Sequence, residues 1–171
     1  FRAWRVRRML SELFLQRWIC GERDGLALFV LAENEGDDFD HALAEWAYTQ
    51  SNVTGLDQAG ASSLLLAARA AKEALTGADQ ATLRADLGGR EIAQPITRKA
   101  FEAMIEPLLQ RTMRACRQVL DDAQVTPKDI EGVVLVGGST RVPLVRRQVE
   151  KFFGRAPLAD INPDEVVAVG A

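Results

Sequence analysis

The sequence predicts an α/β fold, and three observations carry that expectation. Val133, Val134, Leu135 and Val136 form an unbroken aliphatic run, the pattern of a strand buried on both faces in a parallel or mixed sheet. Apolar residues recur at helical spacing on either side of it, from Gly36, from Ala61, from Thr97 and from Leu144. Between the second and third of these, residues 81–96 alternate apolar and polar about Gly88-Gly89, as in a β-hairpin.

The strand at 133–136 is the element to which chemistry attaches. Gly137 and Gly138 remove side chains where it ends, so the backbone can turn sharply or lie close against a ligand. If a ligand or backbone does lie close, Gly138 is expected to have no room for a side chain. Ser139 or Thr140 can cap the following helix, and Pro143 suits its first turn. Strand, glycine pair, cap and helix make a corner outside the carboxyl end of a strand, where open α/β sheets bind ligands. The segment GGSTR has neither the lysine and spacing of a Walker A loop nor the G-x-G-x-x-G order.

In chain order, residues 1–35 hold Arg2, Arg5, Arg7 and Arg8 ahead of Met9, Leu10, Leu13, Phe14 and Trp18 at helical spacing. Three readings compete for this segment: an amphipathic helix on an anionic membrane, a targeting segment, or a helix packed on the rest of the chain. Residues 36–52 read as a helix with Asp37, Asp38 and Asp40 in its first turn, favoured by the helix dipole, and with Phe39, Leu43 and Trp46 or Ala47 as its apolar stripe. His41 is the only histidine, and a metal site built on consecutive acids beside it has poorly converging ligands. Residues 51–60 read as a loop. A helix follows from Ala61 with Leu65, Ala68, Lys72 and Leu75 near one face and Gly77 as its stop. Lys72 and Thr76, one turn apart, project in the same direction. On its own, Lys72 reads as a solvated helix lysine.

After the hairpin, Thr97 caps a long helix through Phe101, Met104, Ile105, Leu108, Thr112, Ala115, Val119 and Leu120. Pro107 is expected to kink or split it. Residues 125–129 turn into the central strand. Leu144, Val145, Val149, Phe152 and Phe153 then build an amphipathic helix ended by Gly154. Asn162, Pro163 and Glu165 resemble a further helix start, where Asp164 reads as a dipole acid.

The 171 residues suffice for one domain with a real core, and a net charge of −3 gives no whole-chain electrostatic case for nucleic acid. Cys20 and Cys116 lie far apart, outside any metal spacing, and read as reduced, packed thiols of a cytoplasmic protein. No apolar run reaches the eighteen or so residues of a membrane span. The opening Phe1 and the stop inside a helical pattern at Gly170-Ala171 read as a fragment of a longer protein.

The contiguous stretch VVLVGGSTRVPLV resembles the adenosine-binding motif of the seventy-kilodalton heat-shock chaperones (DnaK-like), whose ATPase domain has the actin-like fold. GDDFDHALAEW at Gly36 to Trp46 and INPDEVVAVGA at Ile161 to Ala171 agree in the family's order. GDDFDHALAEW, the kinked helix from Thr97 and FFGRAPL look most like the branch that serves iron–sulfur cluster assembly. The resemblance starts at Gly36. Before it, the family's glycine-rich phosphate hairpin and strand pair are not visible.

The resemblance implies a partial actin-like ATPase fold. Residues 1–35 would be a divergent segment, 36–106 a small helical and hairpin lobe, and 107–171 the adenosine-binding part of the larger lobe. It implies ATP or ADP as cofactor, with Mg expected only in the complete parent domain. Arg141 would stack on adenine, Gly137 and Gly138 would admit sugar and ring, and Ser139 would supply a hydroxyl beside Val142. Lys72 with Thr76 would approach the base from the opposite lobe, and Asp164 would face the adenosine. Arg69 stands where many relatives have glutamate. The parent would couple ATP hydrolysis to client binding, with a J-domain cochaperone and a nucleotide exchange factor as partners. Client polypeptide would bind only through a domain outside this chain, and the fragment alone would be inactive as an ATPase. The alternative is a non-catalytic module that docks an exchange factor or another subunit.

Overall fold

The computed structural model describes residues 7–8, 17–22, 25–31, 35–136 and 138–158. The chain divides into two units, Asp37–Leu108 on one hand and Phe1–Gly36 with Leu109–Ala171 on the other.

The unit Asp37–Leu108 is built on helices. Helix α1 (Glu35–Ser51) buries Phe39, Leu43 and Ala47, one stripe at i, i+4, i+8. Helix α2 (Gln58–Gly77) begins three residues before the sequence suggests. The Asp57 carboxylate caps it, accepting from the Gly60 N–H at 2.7 Å and so satisfying one of the free first-turn donors. Its end at Gly77 is not left-handed: Ala78 follows in an extended conformation, its N–H donating to Ala74 O. The buried stripe of α2 is Leu64, Ala68, Ala71, Lys72 and Leu75, and the helix packs on strand β4.

Strands β4 (Gln80–Asp86) and β5 (Glu91–Thr97) pair antiparallel, with Leu83, Ala85, Ile92 and Ile96 buried on alternate positions. Gly88 and Gly89 both have positive φ, +73° and +88°, and the Leu87 N–H donates to Arg90 O across them at 2.9 Å. Two consecutive left-handed positions are the two-residue turn whose twist matches an antiparallel pair, and only glycine takes both freely.

Helix α3 (Arg98–Asp122) starts where the sequence places it, with Thr97 Oγ1 accepting from the Ala100 N–H at 3.2 Å. Pro107 lies inside it and does not split it. The unit boundary nonetheless falls one residue later, between Leu108 and Leu109. In the first unit Phe101 and Ile105 are fully buried, and Phe101 meets Phe39 edge to face at 6.4 Å and 82°.

The other unit is organised on a sheet in the order β1 (Arg7–Arg8), β2 (Arg17–Glu22), β3 (Gly25–Leu31) and β6 (Ile130–Val136). Strands β2 and β3 are antiparallel, while β3 and β6 run parallel, with Leu28 opposite Val133 and Val30 opposite Leu135. This corrects two expectations for the N-terminal segment. Trp18 lies in a strand, not on a helix, and a strand pair is present where none was visible in the sequence. Residues 9–16 lie outside the described residues.

Val133 O of β6 also accepts a hydrogen bond from the Leu158 N–H at 2.9 Å. Ile130 and Val133 are fully buried and Leu135 nearly so. Helix α4 (Pro143–Phe153) buries Leu144, Val145, Val149 and Phe153 and ends at Gly154 in the left-handed conformation, its N–H donating to Glu150 O. From α3, Leu109, Met113, Cys116, Val119 and Leu120 join the core of this unit. Cys116 is a buried thiol outside any disulfide.

Candidate functional site

Two groups of residues carry the site chemistry, one in each unit. The first lies at the carboxyl end of β6. Gly138–Arg141 forms a 3-10 turn, and α4 opens at Pro143 after the extended Val142. The capping expectation is corrected here. Val142 occupies the cap position and no side chain caps the helix, whereas Ser139 and Thr140 sit one turn earlier and are buried. The turn is held by the Val142 N–H to Ser139 O at 3.1 Å, the Val145 N–H to Val142 O at 3.0 Å, and Arg146 Nε to Thr140 O at 3.2 Å. Val142 is buried beneath it, and Arg141 is exposed.

The space beside Gly138 is open. Among the described residues, a Cβ built there would meet no atom within 4 Å, so no other backbone lies close to it. Nothing in the packing of the described residues demands glycine at this position, and its φ is not left-handed. The residue leaves bare backbone and open space in the same turn as the exposed Arg141. A planar guanidinium can stack on the face of a flat ring. Gly137 and Asp164 lie outside the described residues.

The second group lies where α1 and α2 meet within Asp37–Leu108. Lys72 is not a solvated helix lysine: only 8% of it is exposed, and its Nζ lies 2.8 Å from Asp40 Oδ1. Asp40 is buried to the same degree. Burial pushes the Asp40 carboxyl above its ordinary value, an effect opposed by the hydrogen bond and charge of Lys72 and, less, by Arg69. At 2.8 Å the two form a buried ion pair, and each charge is the other's compensation. One turn on, Thr76 Oγ1 donates to Lys72 O at 3.3 Å, which keeps that hydroxyl beside the lysine's backbone. Arg69 points away into an exposed i,i+4 pair with Glu73 at 3.4 Å.

Asp40 is the residue that sequence reasoning under-read. The helix dipole accounts for Asp37 and Asp38, but Asp40 stands four and seven residues before Ala44 and Ala47, on the buried stripe. An acid on that stripe needs a buried partner. Asp37 is exposed, and among the described residues no group of three or more His, Cys, Asp or Glu side chains could hold a metal ion.

A groove of about 500 Å³ in the sheet unit is lined by residues of α3 and α4, Met113, Arg117, Leu120, Lys151 and Phe152 among them. None of the expected site residues lines it. No helix among the described residues is long and apolar enough to cross a membrane.

Comparison with known proteins decides the family. A family model described as Hsp70 protein matches residues 32–171. The chain belongs to the Hsp70 family. It is 50% identical over 136 residues to the chaperone protein HscA homolog of Variovorax paradoxus, covering 80% of this chain and 22% of that protein. Over 137 residues it is 50% identical to the HscA homolog of Pseudomonas putida, and over 139 residues 50% identical to that of Burkholderia mallei, with the same coverage. This Hsp70-family chain thus spans about a fifth of the length of the curated relatives it matches. The match of the family model begins just after β3, so the sheet strands β1 to β3 lie before it and the two groups of site residues lie within it.

Proposed function

We propose that this chain is an adenosine-nucleotide-binding portion of an HscA-like Hsp70 chaperone, with ATP or ADP as its ligand. The observation that carries the reading is the open backbone at Gly138 beside the exposed Arg141, at the carboxyl end of a buried strand, in a chain of this family. Arg141 stacks on the base, and Gly137 and Gly138 leave room for ring and ribose. Ser139 and Val142 shape the turn, and Lys72, Thr76 and Asp164 complete the contacts to adenosine. When bound, the nucleotide supplies the phosphoryl group that the parent protein hydrolyses. The residues named here act on base and sugar, which keep their charge during that reaction, so they supply binding more than rate.

The parent chaperone couples ATP hydrolysis to client-polypeptide binding in iron–sulfur protein maturation in the cytoplasm. A J-domain cochaperone and an exchange factor act as its partners. Calorimetric titration of the chain with ADP tests the reading. Saturable binding that weakens at least about tenfold in Arg141→Ala, a change of about 1.4 kcal/mol, supports it. Absence of binding by a folded chain favours a module that docks another protein without nucleotide.

A further inference from the structure

The groove between α3 and α4 has a chemistry of its own. Its volume of about 500 Å³ is on the scale of ligand pockets, roughly 300–1,000 Å³. On α3, Met113, Arg117, Leu120 and Asp121 recur at the three- and four-residue spacing of one helix face, and Lys151 and Phe152 line the groove from α4. Met113 and Leu120 are buried and Phe152 is half-buried, which makes the floor apolar. Arg117 and Lys151 are exposed and bring two cations to the rim.

Those cations are not spent inside the protein. The Arg117 guanidinium lies over the Phe152 ring at 5.6 Å, a contact that uses its face and leaves its in-plane N–H donors for an acceptor. Neither Arg117 nor Lys151 forms an ion pair with a described residue. Their sign matches their surroundings: residues 109–158 hold nine Lys and Arg against five Asp and Glu, in a chain whose net charge is −3. A groove of this kind complements an acidic occupant that also carries an apolar side chain.

The kind of acid follows from the helix ends. Helix α3 ends at Asp122 and α4 at Phe153, so both bring the negative end of their dipole to the groove, and Asp121 adds a further negative charge. A polyphosphate is a poor match for that setting, because phosphate sites use the N–H groups of a helix start. A single carboxylate asks less. The fork of Arg117 can take both its oxygens, and Lys151 adds a point charge. An exposed ion pair alone is weak in water, so the apolar neighbour of that acid must supply the remainder by covering Met113 and Phe152.

We propose that the α3–α4 groove is a docking site for an acidic peptide segment of a partner protein, in which a glutamate or aspartate meets Arg117 and Lys151 and an adjacent apolar side chain enters over Met113 and Phe152. The site shares no residue with the Gly138–Arg141 turn and stands whether or not the chain binds nucleotide.

The test is fluorescence anisotropy of the 171-residue chain with a labelled peptide, glycine at each end and glutamate, leucine, glutamate, phenylalanine and glutamate between. Saturable binding is expected, weakening as salt rises. Lys151→Glu replaces attraction by repulsion at an exposed position and weakens binding at least about tenfold, while ADP affinity stays as in wild type. Arg117→Gln weakens the peptide as well. Replacing glutamate by glutamine in the peptide, or leucine and phenylalanine by alanine, lowers its affinity by a similar factor. Circular dichroism checks that each variant is folded.

Four results overturn the proposal. Absence of saturable binding by the folded wild type removes the site. Wild-type affinity in Lys151→Glu places the peptide elsewhere. Equal binding of the glutamine peptide denies recognition of the acid. Displacement of the peptide by ADP makes the groove a site for small anions instead.

Discussion

The guanidinium of Arg117 on α3 lies over the ring of Phe152 on α4, 5.6 Å from its centroid. Phe152 in turn meets Phe153 edge to face at 4.8 Å and 80°, and Phe153 is buried in the core of the sheet unit. One exposed cation therefore clamps the C-terminal half of α3 to the last turn of α4, on the helix that begins just after the Gly138–Arg141 turn. An exposed cation–π pair contributes about 0.5–1 kcal/mol. Arg117→Ala is expected to lower the stability of the chain by that amount in urea unfolding, and Arg117→Lys is expected to lose less. Nucleotide affinity should not change in either.

Gly138 and the hairpin glycines make opposite predictions from the same substitution. A Cβ at Gly138 meets no atom of the described residues within 4 Å, and φ there is not left-handed. Gly138→Ala is expected to leave stability within about 0.5 kcal/mol of wild type while ADP binding weakens about tenfold or more. Equal stability with unchanged ADP affinity would remove Gly138 from the site.

At Gly88 there is also nothing within 4 Å, but φ is +73°. An alanine there costs about 1–2 kcal/mol through backbone strain alone. Thermal unfolding of Gly88→Ala should show that loss, and Gly88→Asn should recover part of it, because asparagine tolerates the left-handed region. ADP affinity at saturating folded protein should stay as in wild type.

The two shifted carboxylates act on stability in opposite directions. Asp129 Oδ2 accepts from both Thr126 N and Thr126 Oγ1 at 2.7 Å, and these bonds hold its carboxyl below the usual range. The folded state therefore binds the proton less readily than the unfolded one. The contribution is complete above the ordinary carboxylate value and is lost as pH falls through the lowered one. Asp40 is raised by burial, so its charged form is favoured less in the folded state, and stability falls as pH rises from the ordinary value through the raised one. Asp129→Asn should flatten the acid limb of a plot of Tm against pH, and Asp40→Asn should not.

Much of the fold was legible because its local signals are strong and unopposed. The Gly88-Gly89 turn, the Thr97 cap, the Gly154 stop and the aliphatic run in β6 each have one conformation that suits them. The N-terminal strands were missed for a physical reason. Residues 25–31, GLALFVL, are the same kind of continuous aliphatic run as VVLV, but a helical spacing from Met9 to Trp18 runs straight into β2 and masks the change of period. Strand pairing between β3 and β6 is also non-local, with all of Asp37–Leu108 inserted between the partners, and no periodicity reports a partner that distant. In the turn after β6, the exposed Gly138 and Arg141 were legible from residue type. The Asp40–Lys72 bond was not, because sequence position alone does not say which acid of a first turn faces inward.

The most direct test of the nucleotide reading is amide chemical-shift mapping of the isotope-labelled chain during titration with ADP. Saturable shifts concentrated at Gly138 to Val142 and at Lys72 to Thr76, and absent in Arg141→Ala, are expected. Shifts confined to the α3–α4 groove around Met113, Leu120 and Phe152, or no shifts at saturating ADP in a folded chain, would contradict it.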